Sequence, residues 1–154
     1  MPTLTASRSH MVLKKKMSTP TTTATIARRG RRPAARQAGL ELLRDAGRAN
    51  PAVRSYVVGP DVGGDFEWGA VYVLDDLDGY WDYLTHPAHV RSEMEGMELV
   101  ERFEAFDMTD SGDPEMAEKI AELQARNYTE HPELAELVAQ VPSFTVPGGE
   151  GGQR

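Results

Sequence analysis

Residues 66–74 alternate between two sets of side chains, which is the two-residue period of a β-strand. One set is apolar throughout, from Phe66 to Leu74, and the other set includes Val71 and Val73. Because both faces carry apolar residues, we expect this strand to be buried on both sides of its sheet. Helices can cover one side, and a second subunit can cover the other. The pattern therefore predicts a homodimer in which two four-stranded sheets meet face to face.

A helical period follows this strand. Four apolar residues at i, i+3, i+4 and i+7 mark one face of a helix: Leu77, Tyr80, Trp81 and Leu84. Pro87 cannot continue that helix, but proline is tolerated in the first turn of a new one. We therefore predict two consecutive helices, the second over residues 87–97. Their corner gathers two tyrosines, a tryptophan and two histidines, which makes it a candidate place for chemistry.

Weaker patterns mark the remaining elements. A proline in the first turn and apolar helical spacing predict a helix over residues 33–47. Strands are predicted over residues 53–58 and 99–108. Two further amphipathic stretches predict helices that end near residues 127 and 141. Neither of these last helices can bury its apolar stripe alone, so we expect both to pack on the main domain or on a partner subunit.

The corner also carries a family resemblance. Residues 83–89 read Tyr-Leu-Thr-His-Pro-Ala-His, which resembles the signature of the stress-responsive dimeric α/β-barrel (Dabb) family. Residues 53–61 resemble the second strand of that family and the turn after it, and the resemblance covers residues 21–108. It implies an α+β fold, a ferredoxin-like dimeric α/β barrel in the order β-α-β-β-α-α-β. To this the chain adds a C-terminal helical extension.

Two segments compete for the first strand. Met11–Lys14 resembles the opening strand of the family, and His10 precedes it, where the family often has a histidine. Thr21–Arg28 is β-prone because of its threonines, and its distance to Gly59 is closer to that of the family. We favour Thr21–Arg28. With that choice, the first-strand histidine of the family is absent here.

These assignments divide the chain into four parts. Residues 1–20 are polar and are predicted to be a disordered tail. The barrel domain is predicted over residues 21–108, the helical extension over residues 109–142, and a flexible tail over residues 143–154. We therefore expect the hydrophobic core of this 154-residue chain to lie within the predicted domain and the extension.

Charge is spread unevenly along the chain. The net charge is −7, yet residues 1–36 contain nine basic residues and no acidic one. Such an arm binds nucleic acid in some proteins and is a solvated tail in others. We favour the tail, and nucleic acid is not an expected partner. Arginine and threonine without acidic residues are also compatible with an organellar transit peptide.

Cysteine is absent, which excludes disulfides and thiolate metal sites and fits a reducing cytoplasm. Since no apolar run reaches the length of a bilayer, we expect no membrane partner and predict a cytoplasmic protein.

His89 is the first candidate for chemistry. Glu93 lies one helical turn after it and could orient the imidazole and raise its basicity, as a general base requires. Tyr83 could donate a hydrogen bond to a carbonyl oxygen that gains negative charge. We expect both side chains to face the cavity of the dimeric barrel, with Trp68 and Tyr72 as its walls. No metal or cofactor is expected.

His86 is open to two interpretations. It could contact a bound molecule, or it could cap backbone groups at the break between the two helices. We assign it to the substrate-binding residues.

Plant polyketide cyclases of the olivetolic acid cyclase type resemble this family. In them, residues equivalent to Tyr83 and His89 line the active site, and the histidine assists an aldol-type ring closure. The resemblance implies a cofactor-independent cyclase, or lyase, that acts on a hydrophobic, carbonyl-containing, polyketide-like molecule. A third-strand histidine of those enzymes corresponds to Trp68 here, so the polar set is incomplete. The alternative is a non-catalytic, stress-responsive structural dimer.

Overall fold

A computed structural model describes residues 11–18, 31–63, 66–141 and 143–145, with side chains for residues 34–63 and 66–141. One sheet carries helices on one of its faces. Its strands are β1 Met11–Ser18, β2 Ser55–Pro60, β3 Trp68–Leu74, β4 Arg102–Thr109 and β5 Ser143–Thr145. The helices are α1 Arg31–Arg48, α2 Leu77–Thr85, α3 Pro87–Gly96, α4 Met116–Glu130 and α5 Pro132–Gln140, with a 3₁₀ turn at Met97–Leu99.

The strands lie in the order β2-β3-β1-β4-β5. The first four pair antiparallel, and β5 joins the edge parallel to β4. Together with α1 and the consecutive helices α2 and α3, these four strands form the ferredoxin-like α+β plan that the sequence predicted. None of the described helices combines the length and the apolar character that a bilayer crossing requires.

The first strand corrects the sequence analysis. In the structure, β1 is Met11–Ser18, which includes the segment that we weighed second, and it occupies the centre of the sheet between β3 and β4. The favoured segment, Thr21–Arg28, lies outside the described residues. Strand β1 therefore lies within the stretch 1–20 that was predicted to be a disordered tail.

The two faces of the sheet differ in what covers them. The face toward the helices, here called the closed face, buries four residues of β3: Trp68, Ala70, Tyr72 and Leu74. The opposite face, here called the open face, carries Val57, Val71 and Phe106 in one register row and Val73 and Met108 in the next. Val57 is 70% exposed and Met108 is 53% exposed. The strand predicted to be buried on both sides is therefore fully buried on the closed face alone.

The corner between α2 and α3 forms as its sequence predicted. Asp76 caps α2 by accepting a hydrogen bond from the backbone of Gly79 at 2.8 Å. Pro87 occupies the first turn of α3, and the extended backbone of His86 separates the two helices. Three residues of α2 face the core: Tyr80, Tyr83 and Leu84. The corner thus places aromatic side chains of α2 directly over the closed face.

The C-terminal segment adds a further helical layer. Helix α4 packs on α2, and α5 packs on α3. Ile120, Leu134 and Val138 join the same core as the sheet. Strand β5 lies in residues 143–154, which were predicted to be a flexible tail, so three residues of that tail belong to the sheet.

Candidate functional site

A histidine and a glutamate form a buried pair on α3. Nε2 of His89 lies 3.4 Å from Oε1 of Glu93, one helical turn away, and the two side chains are only 3% and 7% exposed. Helix geometry brings them together because residues at i and i+4 share one face. The other ring nitrogen, Nδ1, lies 2.9 Å from the carbonyl oxygen of Leu84 at the end of α2. Both nitrogens of this imidazole are therefore engaged.

These contacts determine which ring nitrogen of His89 carries a hydrogen. A carbonyl oxygen can only accept, so Nδ1 of His89 carries a hydrogen and donates it to Leu84. Nε2 then faces the carboxyl of Glu93, so a proton taken up by the pair would lie between them, as imidazolium–carboxylate or as imidazole–carboxylic acid. Glu93 was expected to orient the ring. The carbonyl of Leu84 holds one ring nitrogen, and Glu93 lies at the other, so its role in orienting the ring stays a prediction.

Two tyrosines pack against this pair. The rings of Tyr83 and His89 have centroids 4.4 Å apart, and the rings of Tyr72 and Tyr83 have centroids 5.1 Å apart. The hydroxyl of Tyr72 donates a 2.7 Å hydrogen bond to the carbonyl oxygen of Leu43 in α1. The structure thus brings His89, Glu93, Tyr83 and Tyr72 together.

Burial keeps these phenols protonated. Burial raises the pKa of Tyr83 and that of Tyr72 far above the ordinary value near 10, because the phenolate form is poorly solvated there. The negative charge of Glu93 raises both pKa values further. Tyr83 can therefore donate a hydrogen bond at neutral pH but cannot act as a base.

Tyr128 belongs to the same electrostatic environment. It lies on α4 and is partly buried against the core. Burial raises the pKa of its phenol, and the charge of Glu93 raises it further. Tyr128 was not predicted as a site residue, because only the apolar stripe of its helix was considered. The spacing of Gln124 and Tyr128, polar groups at i and i+4 beside apolar Ile120, is the signal that could have identified it.

Trp68 forms one wall of the closed face. Its side chain is fully buried, and its indole packs so closely on Gly39 of α1 that an added Cβ at that glycine would overlap the ring. Its indole nitrogen is buried and finds no hydrogen-bond acceptor in the part of the chain that the structure describes. Trp68 therefore offers a donor to any acceptor that enters this region.

Gly96 leaves space on the same helix face as Glu93. It is buried at the end of α3, yet a Cβ built on it would meet no atom of the described chain within 4 Å. This is the opposite of Gly39, which is pressed against Trp68.

His86 lies at the N-terminus of α3. Its Nδ1 accepts a 3.1 Å hydrogen bond from the backbone of Ala88, so it caps this helix. This is the second interpretation given above. Its assignment to the substrate-binding residues stays a prediction.

The location of the cluster corrects a second expectation. His89 and Tyr83 were expected to face a cavity enclosed by two subunits. In the structure Tyr83 contacts Tyr72 on the closed face, and His89 contacts Tyr83, so both lie under helices of the same chain. Whatever covers the open face therefore does not form the cluster, and a single chain contains the complete set of these residues.

Solved structures resemble the fold. A dimeric ferredoxin-like protein of unknown function from Thermobifida fusca is 20% identical, with a TM-score of 0.54 over 69% of this chain and 95% of its own. One from Bacteroides fragilis is 17% identical, with a TM-score of 0.53 over 64% and 94%. A Dabb family protein from Mesorhizobium loti is 16% identical, with a TM-score of 0.51 over 68% and 99%.

Sequence comparison identifies the family. Among curated proteins, none matches the sequence. The sequence profile of the Stress responsive A/B Barrel Domain (Dabb) family matches residues 21–110, which is more than half of the chain. The match starts after β1 and includes the α2–α3 corner with Tyr83, His89 and Glu93. The chain therefore belongs to the stress-responsive A/B barrel (Dabb) family.

Proposed function

We propose that the protein is a homodimer in which each subunit binds a hydrophobic, carbonyl-containing small molecule beside His89. In its most specific form, the proposal is a cofactor-independent, aldol-type cyclase that acts on a polyketide-like substrate. The observation that carries it is the buried pair of His89 and Glu93, with side chains 3% and 7% exposed. His89, Glu93 and Tyr83 are the proposed catalytic residues, and Trp68 and Tyr72 are proposed to bind the substrate.

A buried pair of this kind is costly to maintain. Removing two ionisable groups from water costs several kcal/mol for each ion, and apolar residues of similar volume often stabilise a fold as well or better. The closed face already has aromatic and aliphatic residues that pack well, so His89 and Glu93 are not needed to fill it. Ionisable groups placed at such a cost are frequent at functional sites, which supports a chemical role.

The pair could perform the proton transfers of an aldol reaction. The carboxylate and imidazole together accept a proton from the carbon next to a carbonyl, and the C–H electron pair becomes an enolate. Tyr83 donates a hydrogen bond to the enolate oxygen. The enolate carbon then bonds to a second carbonyl carbon of the same molecule. The resulting alkoxide takes the proton back from His89 and Glu93, so no oxidant or cofactor is consumed.

The polarity of the closed face supports a carbonyl ligand. Tyr83 keeps its phenol protonated, and the buried indole nitrogen of Trp68 has no acceptor in the described chain. Both are donors, and a ketone oxygen is an acceptor. The aromatic rings of Trp68 and Tyr72 are fully buried, and they support an apolar body for the ligand.

The open face supports a homodimer. Val57 and Met108 are exposed on it beside the half-buried Val71 and Val73. Lys14 of β1 lies in the same register row as Val57 and Val71, so the exposed apolar residues surround a basic position. Exposed apolar residues grouped on one face of a sheet often meet a partner. The similar proteins from Thermobifida fusca and Bacteroides fragilis are dimeric ferredoxin-like proteins, which supports the same assembly here.

Turnover of a linear 3,5,7-trioxo thioester tests the catalytic proposal. Wild-type protein should form the product closed by a carbon–carbon bond, in excess over the lactone that forms spontaneously. His89→Ala and Glu93→Gln should each slow this product about 10²- to 10⁴-fold, the usual contribution of a general base. Product formation is followed by chromatography with mass detection.

His131 provides the matched control. Its Nδ1 also lies 3.4 Å from a glutamate oxygen, that of Glu133, but their side chains are 28% and 54% exposed. His131→Ala should leave turnover unchanged. Equal turnover by wild type and His89→Ala would disprove the assignment of the base.

A structural role is the second candidate, because the cluster is enclosed. Tyr72 and Tyr83 are 0% exposed, and both nitrogens of His89 are engaged within the subunit. The double substitution His89→Leu with Glu93→Leu separates the two candidates. A structural role predicts a clear loss of stability on urea unfolding. A catalytic role predicts loss of turnover with unchanged or higher stability, since apolar pairs often replace buried ion pairs without cost.

A further inference from the structure

Asn127 is a polar residue of helix α4 whose side chain faces the core. Asn127 is 2% exposed, and its amide oxygen finds no hydrogen-bond donor in the part of the chain that the structure describes. Buried amide oxygens almost always have a partner, because they lose their hydrogen bonds to water on burial. An asparagine at this position therefore calls for a donor that the described chain does not itself supply.

Gln124, one turn earlier on α4, shows the contrast. Its amide donates a hydrogen bond to the hydroxyl of Tyr80, and that hydroxyl donates to Oδ2 of Asp107 at 3.2 Å. Gln124 thus links the extension to α2 and β4. Of the two inward amides on this helix, one is committed to holding the fold together, and the other is not.

The residues on either side of Asn127 in α4 connect to the elements of the candidate site. Gln124, three residues before it, contacts Tyr80, which is one turn from Tyr83 on α2. Tyr128, the next residue, is partly buried against the core. Burial and the negative charge of Glu93 both raise the pKa of its phenol. The stretch from Gln124 to Tyr128 therefore runs along the same side of the core as the cluster around His89 and Glu93.

We propose that the C-terminal extension completes the site, with the amide oxygen of Asn127 accepting a hydrogen bond from a hydroxyl group of the bound molecule. Tyr128 lies next to that hydroxyl as a specificity residue. This inference rests on the proposed function and narrows it, because the ligand is then a hydroxylated carbonyl compound. Tyr83 donates to the carbonyl oxygen, and Asn127 accepts from the hydroxyl.

Two probes of nearly equal shape test the inference: 4-hydroxyacetophenone and 4-methylacetophenone. Each is titrated calorimetrically into the full-length protein. Wild-type protein should bind the hydroxylated probe about three- to tenfold more tightly, the usual worth of one neutral hydrogen bond. Asn127→Leu should abolish this preference while still binding the methylated probe.

Thermal unfolding of the same variants supplies an independent readout. Asn127→Leu should leave the melting temperature unchanged or raise it, because it removes an amide without a partner. Gln124→Leu is the matched control: it should lower the melting temperature, since the hydroxyl of Tyr80 loses its donor, and should keep the preference for the hydroxylated probe. A drop in melting temperature for Asn127→Leu similar to that of Gln124→Leu would overturn the inference.

The binding outcomes separate this inference from the proposed function. Equal affinity of wild-type protein for both probes, or an unchanged preference in Asn127→Leu, would overturn the role of Asn127 alone. Binding of neither probe by wild-type protein would overturn both the inference and the proposed small-molecule site. Unchanged turnover in His89→Ala would overturn the proposed catalysis and leave the role of Asn127 standing.

Discussion

The two faces of the sheet are built from the same strands but differ in what covers them. On the closed face, Trp68 and Tyr72 are fully covered by helices of their own chain. On the open face, Val57 and Met108 remain exposed in the single chain. The polar groups that could do chemistry, His89 and Glu93, all lie on the closed side, although the alternation along β3 makes both faces apolar.

This difference separates assembly from chemistry. A partner that covers the open face would add buried apolar area, which stabilises the fold, but it would not touch His89. A single chain therefore contains the complete cluster. Substitutions on the open face should then change dimerisation, and substitutions on the closed face should change ligand binding.

The largest effect is expected on the open face. Val57→Glu places a carboxylate on the edge strand β2 of the open face, where the proposed interface would remove it from water. Leaving a buried charge unpaired costs several kcal/mol, so the dimer dissociation constant should rise about 10²- to 10³-fold. Sedimentation velocity over a concentration series measures it.

Val62→Glu is the control for this substitution. Val62 is 91% exposed at the loop between β2 and β3, so the same change there should leave the dimer intact. The Val57→Glu monomer should also keep the near-ultraviolet circular dichroism of the closed-face aromatic residues. If that signal collapses along with the dimer, the two faces are not separable.

A smaller effect is expected from two glycines on the closed side. Gly39→Ala forces a methyl group into the indole of Trp68, and overpacking of this kind typically costs about 1–3 kcal/mol. Gly96→Ala meets open space, and alanine is the better helix former by up to about 1 kcal/mol. Urea unfolding should therefore show opposite signs for the two variants. Destabilisation by Gly96→Ala would mean that the space beside Glu93 is filled.

Patterns that repeat over several turns or pairs made the fold predictable. The period of Leu77 to Leu84 and the break at Pro87 specify α2 and α3 by local sterics alone, and the structure contains both. The first strand could not be chosen in this way. Met11–Ser18 contains three consecutive lysines, so β-propensity favoured Thr21–Arg28 with its threonines. In the structure, however, Met11–Ser18 pairs with two strands at once.

The site was predictable only in part, for a related reason. The i, i+4 spacing of His89 and Glu93 follows from helix geometry, so their pairing could be predicted. Which face of the sheet they meet depends on how α3 packs, and alternation along β3 cannot distinguish the two faces because both are apolar. Tyr128 lies on a helix that follows the matched family segment, residues 21–110, so the family resemblance could not predict its place near Glu93.

The smallest effect concerns single tyrosines of the closed face at high pH. Burial raises the pKa of Tyr83 above the unfolded value near 10, so the folded chain holds a proton that the unfolded chain releases. The resulting stability is fully present below pH 10 and is lost as the pH rises beyond it, by about 1.4 kcal/mol per pH unit for each such tyrosine. Tyr83→Phe should therefore unfold in urea with a shallower loss of stability between pH 10 and pH 11.5 than wild type. Equal slopes would mean that this phenol reaches solvent, and the closed face would then not be closed at the point where Tyr83 meets His89.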